Sequence, residues 1–237
     1  MNPIALHAET IAKSGPSSVA LLEVFSSEGC SSCPPAEEWA SHLAKDSGLW
    51  KDFVPVVFHV DYWDNLGWKD RFSDNQYTQR QKAYADAWGS GSIYTPGFVL
   101  NGKEWRDWYG ARSIEHLHKK DSGILAIDRS GAETFIISFT PDGALASSGS
   151  YHAHAALLGS GIVSEISAGE NTGRRLKHDF TVLDYAEKDM KMLSGGRFEQ
   201  EFVFKSSKHP EIKDRAIAAW VTSGDNVEPL QSTGADL

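Results

Sequence analysis

Apolar residues fall along this chain in two kinds of pattern, and the change from one to the other divides it. In the first half, strand-like runs alternate with helical spacing. Val19-Ala20-Leu21-Leu22-Glu23-Val24-Phe25 precedes a stretch from Pro34 through Trp39, Leu43 and Leu49 that predicts a helix. Phe53 to Val60 is rich in β-branched residues and reads as a strand buried on both faces. After an aromatic and polar stretch from Asp61, Tyr77, Arg80, Gln81, Tyr84 and Trp88 recur at helical intervals, with Ser73 or Asp74 placed to cap the first turn. Phe98-Val99-Leu100 meets Asn101-Gly102, a strong hairpin signal, with Trp105 on the return limb. A last short helix is expected from Ser113 to Lys119. Beyond the polar seam Lys119-Lys120-Asp121-Ser122-Gly123 only strand-length runs follow: Phe135 to Phe139, Tyr151 to Leu158, Leu176 to Tyr185, Arg197 to Phe204 and Ala216 to Val221.

The first-half order of strand, helix, strand, helix, strand, strand, helix is the plan of a thioredoxin-like domain. The expectation is therefore α/β plus all-β: a thioredoxin-like domain over residues 18–120, followed by a β-sandwich-like domain over residues 121–237. In that plan Thr95-Pro96, just before the Phe98 strand, carries a cis-proline facing whatever chemistry the first strand delivers.

Composition narrows the classes. With 237 residues, 41% hydrophobic and 23% charged, the chain reads as an ordinary globular protein of one large or two ordinary domains. No stretch approaches the roughly 20 apolar residues of a membrane-spanning helix. A net charge of −9 argues against nucleic-acid binding, which needs basic stripes. Met1 to Ser18 lacks both a basic start and an apolar run of about 7–15 residues. As given, the chain reads as cytoplasmic, or as periplasmic if a signal has been removed.

The candidate chemistry lies in Glu28-Gly29-Cys30-Ser31-Ser32-Cys33-Pro34-Pro35, which holds the only two cysteines. Two thiols three apart at a strand-to-helix junction suit reversible disulfide chemistry. Cys30, at the amino end of the helix, is the expected attacking sulfur and Cys33 the resolving one. The Ser31 and Ser32 hydroxyls can bond to the thiolate. A purely structural disulfide is a poorer reading, because so short a loop removes little chain entropy, and a zinc half-site lacks a second cysteine pair. Glu23, a carboxylate inside an apolar strand, is a candidate proton acceptor for Cys33, the alternative being a salt-bridged structural Glu. Thr95, Trp63, Trp68, His59 and Asp61 are candidate substrate-binding residues, and Pro96 shapes the docking surface. His152 and His154, on the polar face of their strand, join His178 as a weak metal candidate, so no metal or cofactor is called. Arg174 and Arg175, near Glu170, are placed to pin the loop Gly169 to Gly173 against the first half.

Leu22 to Ala36 around the cysteines, His59-Val60-Asp61-Tyr62-Trp63-Asp64-Asn65-Leu66-Gly67-Trp68, Tyr77-Thr78-Gln79-Arg80-Gln81, Tyr94-Thr95-Pro96, Val99-Leu100-Asn101-Gly102 and Gly169-Glu170-Asn171-Thr172-Gly173-Arg174-Arg175-Leu176 together resemble the bacterial family called domain of unknown function 1223. Ser27 and Glu28 replace commoner neighbours. The resemblance implies a thioredoxin-like domain followed by a β-rich one, commonly exported, with an uncharacterised thiol-disulfide role. The expected function is thiol-disulfide oxidoreduction through Cys30 and Cys33 on protein or small-molecule thiols, with an unknown redox partner. The alternative is a non-catalytic thioredoxin-like binding module or a copper(I)-capturing protein.

Overall fold

The structure is a computed structural model that describes residues 8–111, 113–114, 119–143, 145, 149–204, 209–224 and 226–237. Its strands and helices run in the order β1 (Glu9–Lys13), β2 (Ala20–Ser26), α1 (Pro34–His42), β3 (Phe53–His59), α2 (Asn75–Ala87), β4 (Gly97–Leu100), β5 (Lys103–Glu104), β6 (Gly123–Arg129), β7 (Thr134–Pro141), β8 (Tyr151–Gly159), β9 (Ile162–Glu165), β10 (Arg175–His178), β11 (Thr181–Asp189), β12 (Lys191–Met192), β13 (Phe198–Val203), β14 (Arg215–Ser223) and β15 (Gln231–Asp236). The helix expected from Ser113 to Lys119 falls largely outside the described residues.

Local chemistry accounts for the element ends. Pro34 and Pro35 open α1, where the missing amide protons cost little. The Asp74 side chain accepts from the Gln76 amide at 3.0 Å and caps α2. Asn101 and Gly102, with φ of 51° and 79°, turn β4 into β5 as the Asn-Gly signal predicts.

The architecture corrects the expected α/β thioredoxin-like domain followed by a β-sandwich. Among the described residues strands far outweigh helices, and two α-helices are found. The largest sheet has eight strands in the order β15-β14-β8-β11-β3-β2-β4-β5, so it draws on both halves of the sequence. The joint is a parallel pairing of β3 with β11, Val57 opposite Thr181. β3 is buried on both faces, as its β-branched run predicts; what that pattern does not carry is the identity of its second neighbour. A five-stranded sheet, β1-β6-β7-β13-β12, packs its Leu125, Ile127, Phe135, Ile137 and Phe139 against Ala153, Ala155, Leu157, Ile217 and Ala219 of β8 and β14. The hairpin β9–β10 stands apart as a two-stranded sheet.

Alternation along β2 and β3 sends side chains to opposite faces. Phe25 and Phe58 meet Tyr84 and Tyr77 of α2, whereas Ser26 meets Glu37 of α1. The two helices therefore cover opposite faces of the eight-stranded sheet. On the α2 face Glu23 accepts from Arg80 at 2.5 Å and from the Tyr84 hydroxyl. Arg80 also lies over Trp220, 4.9 Å from the ring centroid. His154, expected on an exposed polar face, is buried there instead. It stacks on Trp220 and bonds to Tyr185 at 2.8 Å and Thr222 at 3.1 Å. That face of β8 is closed over His154 by side chains of the neighbouring strands, Tyr185 of β11 with Trp220 and Thr222 of β14.

Burial pushes the His154 imidazole down from 6.5 to about 4. As pH falls, the unfolded chain takes up this proton before the folded one does. The stability linked to neutral His154 is thus full above pH 6.5 and is lost between there and about pH 4. Urea unfolding should show the advantage of the wild type over His154→Gln shrinking by up to about 3 kcal/mol across that window.

Candidate functional site

The strand-to-helix junction that ends β2 carries the candidate site. Cys30 and Cys33 are joined in a disulfide with Cα atoms 5.4 Å apart. Both are fully buried, while Ser31 and Ser32 between them are exposed. The Ser32 hydroxyl lies 3.3 Å from the Cys30 sulfur. Cys33 is the N-cap of α1, and its carbonyl accepts from the Ala36 and Glu37 amides at 2.9 and 3.1 Å. Pro34 and Pro35 have no amide proton. The expected supply of free helix-terminal amides for a thiolate is therefore reduced, and Ser32 is the donor at hand for Cys30.

A strap from the second half holds this loop. The Asn171 side-chain amide donates to the Glu28 and Cys30 carbonyls at 2.8 and 2.9 Å, and Glu170 accepts from the Ser31 amide at 3.2 Å. Arg174 orients Asn171 by donating to its carbonyl oxygen at 3.0 Å. Gly169, with φ of +75°, lets the strap run against Trp68, whose Cβ sits 3.0 Å from where a Cβ on the glycine would be. The role foreseen for Arg174 is thus carried out through Asn171, while Arg175 turns to Glu165 on β9.

Beneath the loop lies a network of buried ionisable groups. The Glu37 carboxylate, one turn into α1, takes the Ser26 hydroxyl on one oxygen and His178 Nδ1 on the other. His59 Nδ1 is 2.6 Å from Asp70, and His178 Nε2 is 3.3 Å from Glu28. Asp70 also accepts from the Glu28 and Phe72 amides, and Trp68 donates to Glu28 at 2.7 Å. Burial opposes every charge here, yet the pairing prevails for four groups. The two imidazoles hold Glu37 below the usual carboxylate range and His59 does the same for Asp70, while Glu37 lifts His178 to about 10 and Asp70 with Glu37 lifts His59.

The remaining candidates separate. The Thr95–Pro96 peptide is cis, and Trp63 donates to Thr95 at 2.8 Å while its Cβ abuts Gly29. Trp63 therefore links the Thr95–Pro96 turn to the cysteine loop. Trp68 walls the loop through Glu28. Asp61 is occupied at the start of α2, bonded to Thr78 at 2.5 Å and Asn75 at 3.1 Å. His59 lies in the buried network. Glu23 sits on the α2 face with Arg80, on the opposite side of the sheet from Ser26 and α1, so it is not brought to the thiols. Glu37, Asp70 and His178 were not singled out together in the sequence. The only available signals were Glu37 four residues after Cys33, on the same face of α1, and His178 alternating inward along β10.

The sequence profile of a family described as "Protein of unknown function (DUF1223)" matches residues 21–222. The chain belongs to the DUF1223 family. It matches no curated protein sequence. A crystal structure of a protein from Agrobacterium tumefaciens is similar to this DUF1223 chain, with a TM-score of 0.62 and 20% identity over 93% of this chain and 94% of that one. HBP35 of Porphyromonas gingivalis is similar at the same TM-score, with 17% identity over 94% of this chain and 76% of that one. At these identities the likeness is one of fold. Among the described residues no helix is long and apolar enough to cross a membrane.

Removing the strap's amide should loosen the loop. Asn171→Ala deprives two buried carbonyls of their donor and should cost about 1–3 kcal/mol in urea unfolding, with faster reduction of the disulfide by a small thiol.

Proposed function

We propose that Cys30 and Cys33 form a thiol-disulfide exchange centre acting on protein or small-molecule thiols. The observation that carries the reading is the disulfide itself, formed by the only cysteines beneath an exposed Ser31-Ser32 tip, with Ser32 at the Cys30 sulfur. As a staple it closes too short a loop to remove much entropy from the unfolded chain. As a reactive pair it is held by a rigid helix start and a strap, which favours one geometry for exchange.

In the oxidised direction a substrate thiolate displaces Ser32, attacks the Cys30 sulfur and expels Cys33 as a thiolate, giving a mixed disulfide. A second substrate thiolate attacks the substrate sulfur of that bond and releases Cys30, whose thiolate accepts the Ser32 hydroxyl. The protein gains two electrons and, after protonation of both sulfurs, two protons; the substrate dithiol becomes a disulfide. The reverse direction starts with Cys30 attacking a substrate disulfide and ends with Cys33 resolving it. In this reading Thr95, Pro96 and Trp63 supply the docking surface, supported by Trp63 linking Thr95 to Gly29 of the cysteine loop. Glu23 stays with Arg80 in this scheme.

Equilibration in glutathione buffers should show the pair cycling reversibly between dithiol and disulfide at biological potentials. Cys30→Ser should abolish exchange with a disulfide substrate, and Cys33→Ser should accumulate the mixed disulfide. Absence of exchange in the wild type, with tight copper(I) binding by the reduced chain, would instead establish the metal-capturing alternative.

A further inference from the structure

The buried network contains a feature that thiol-disulfide exchange does not use. Glu37, His59 and His178 each present one ligand atom, and these atoms all lie within 4.8 Å of one another. They come from α1, the end of β3 and the end of β10, three elements fixed by sheet and helix packing. The remaining nitrogen of each imidazole faces a carboxylate: His59 Nδ1 faces Asp70 at 2.6 Å, and His178 Nε2 faces Glu28 at 3.3 Å. This arrangement leaves His59 Nε2 and His178 Nδ1 turned toward Glu37. His59 Nε2 is fully buried, has no hydrogen-bond partner and stands 3.9 Å from the Glu37 oxygen. Ser26 holds the other Glu37 oxygen.

We infer that Glu37, His59 and His178 bind one divalent transition-metal ion of the zinc class, with Asp70, Glu28 and Ser26 orienting the three ligands. Binding releases the protons that the two imidazoles hold against their carboxylate neighbours, after which two imidazoles and one carboxylate form a donor set that such ions accept; Asp70 behind His59 fixes that ring's tautomer and plane, and Glu28 stands behind His178. A fully buried imidazole nitrogen without a hydrogen-bond partner is costly, and an ion at that place removes the cost. An ion with ligands at about 2.1 Å holds tetrahedral neighbours about 3.4 Å apart, so His178 and Glu37, now in direct hydrogen-bond contact, must part by about an ångström while His59, 3.9 Å from Glu37, draws in. Entry is available through a cavity of about 550 Å³ between α1 and β10, where Pro34, Ser41, Leu176 and Asp179 surround Glu37 and His178. Three protein ligands leave a coordination position open. The inference does not depend on the chemistry of the cysteines.

The test uses the full chain with its disulfide intact, so that no thiolate competes, and Zn²⁺ as the probe. Calorimetry should give one tight site per chain, and Co²⁺ loading should give visible bands without thiolate-to-metal charge transfer. Asp70→Asn should bind Zn²⁺ about 10- to 100-fold more weakly, and Glu37→Gln and His178→Gln should lose the stoichiometric site. A chain with both Cys30→Ser and Cys33→Ser should bind as the wild type does. Should the network variants fail to fold, imidazole NMR signals of the wild type decide: Zn²⁺ must shift His59 and His178 and leave the other seven of the nine histidines unchanged. No uptake by the oxidised wild type, or uptake that perturbs other histidines instead, would overturn the inference.

Discussion

Two histidines and three carboxyl side chains, His59, His178, Glu28, Glu37 and Asp70, are packed out of water beneath the cysteine loop, and the geometry above them depends on their being mutually paired. A lone buried charge is expensive, whereas a paired and hydrogen-bonded one is tolerated. The same requirement that satisfies the charges therefore fixes positions. Glu37 ties α1 to β2 through Ser26 and to β10 through His178, and Asp70 ties β3 to the backbone amide of Glu28. The loop carrying the disulfide is thereby fixed from below, while Asn171 and Glu170 fix it from above.

The opposite face of the sheet repeats the logic with different residues. Glu23, Arg80 and Tyr84 form a buried pair with a hydroxyl partner, and Arg80 lies against Trp220 and Tyr185. Both networks join strands from the two halves of the sequence. An eight-stranded sheet with a charged network on each side explains why the junction around Cys30 is built from β2, α1, β3 and β10 together, and why it is completed only by residues of the second half.

What the sequence revealed is what short-range physics encodes. The Asp74 cap, the Asn101-Gly102 turn and the prolines that start α1 act within a few residues, and each appears where the chain predicts it. The Cys30–Cys33 bond was equally legible from spacing. The parallel pairing of β3 with β11 was not, because a β-branched run specifies burial and not the partner that supplies it. That omission misdirected the fold toward a thioredoxin-like domain and a separate sandwich. It also hid the charge partners: Glu23 reads as a costly buried carboxylate, but Arg80 lies 57 residues away on a helix, and Glu37 meets His178 across 141 residues. A histidine on an alternating strand such as β8 reads as solvent-facing until what covers it is known, and His154 is covered.

The pairing beneath the disulfide is tested most directly by a double-mutant cycle on Glu37→Gln and His178→Gln, with unfolding of the oxidised, chelator-treated chain followed in urea. The account predicts that the two losses are strongly non-additive, with a coupling of about 2 kcal/mol or more, because either change alone strands the other group. Losses that add to within about 0.5 kcal/mol would contradict it, since the two side chains would then be buried independently of one another.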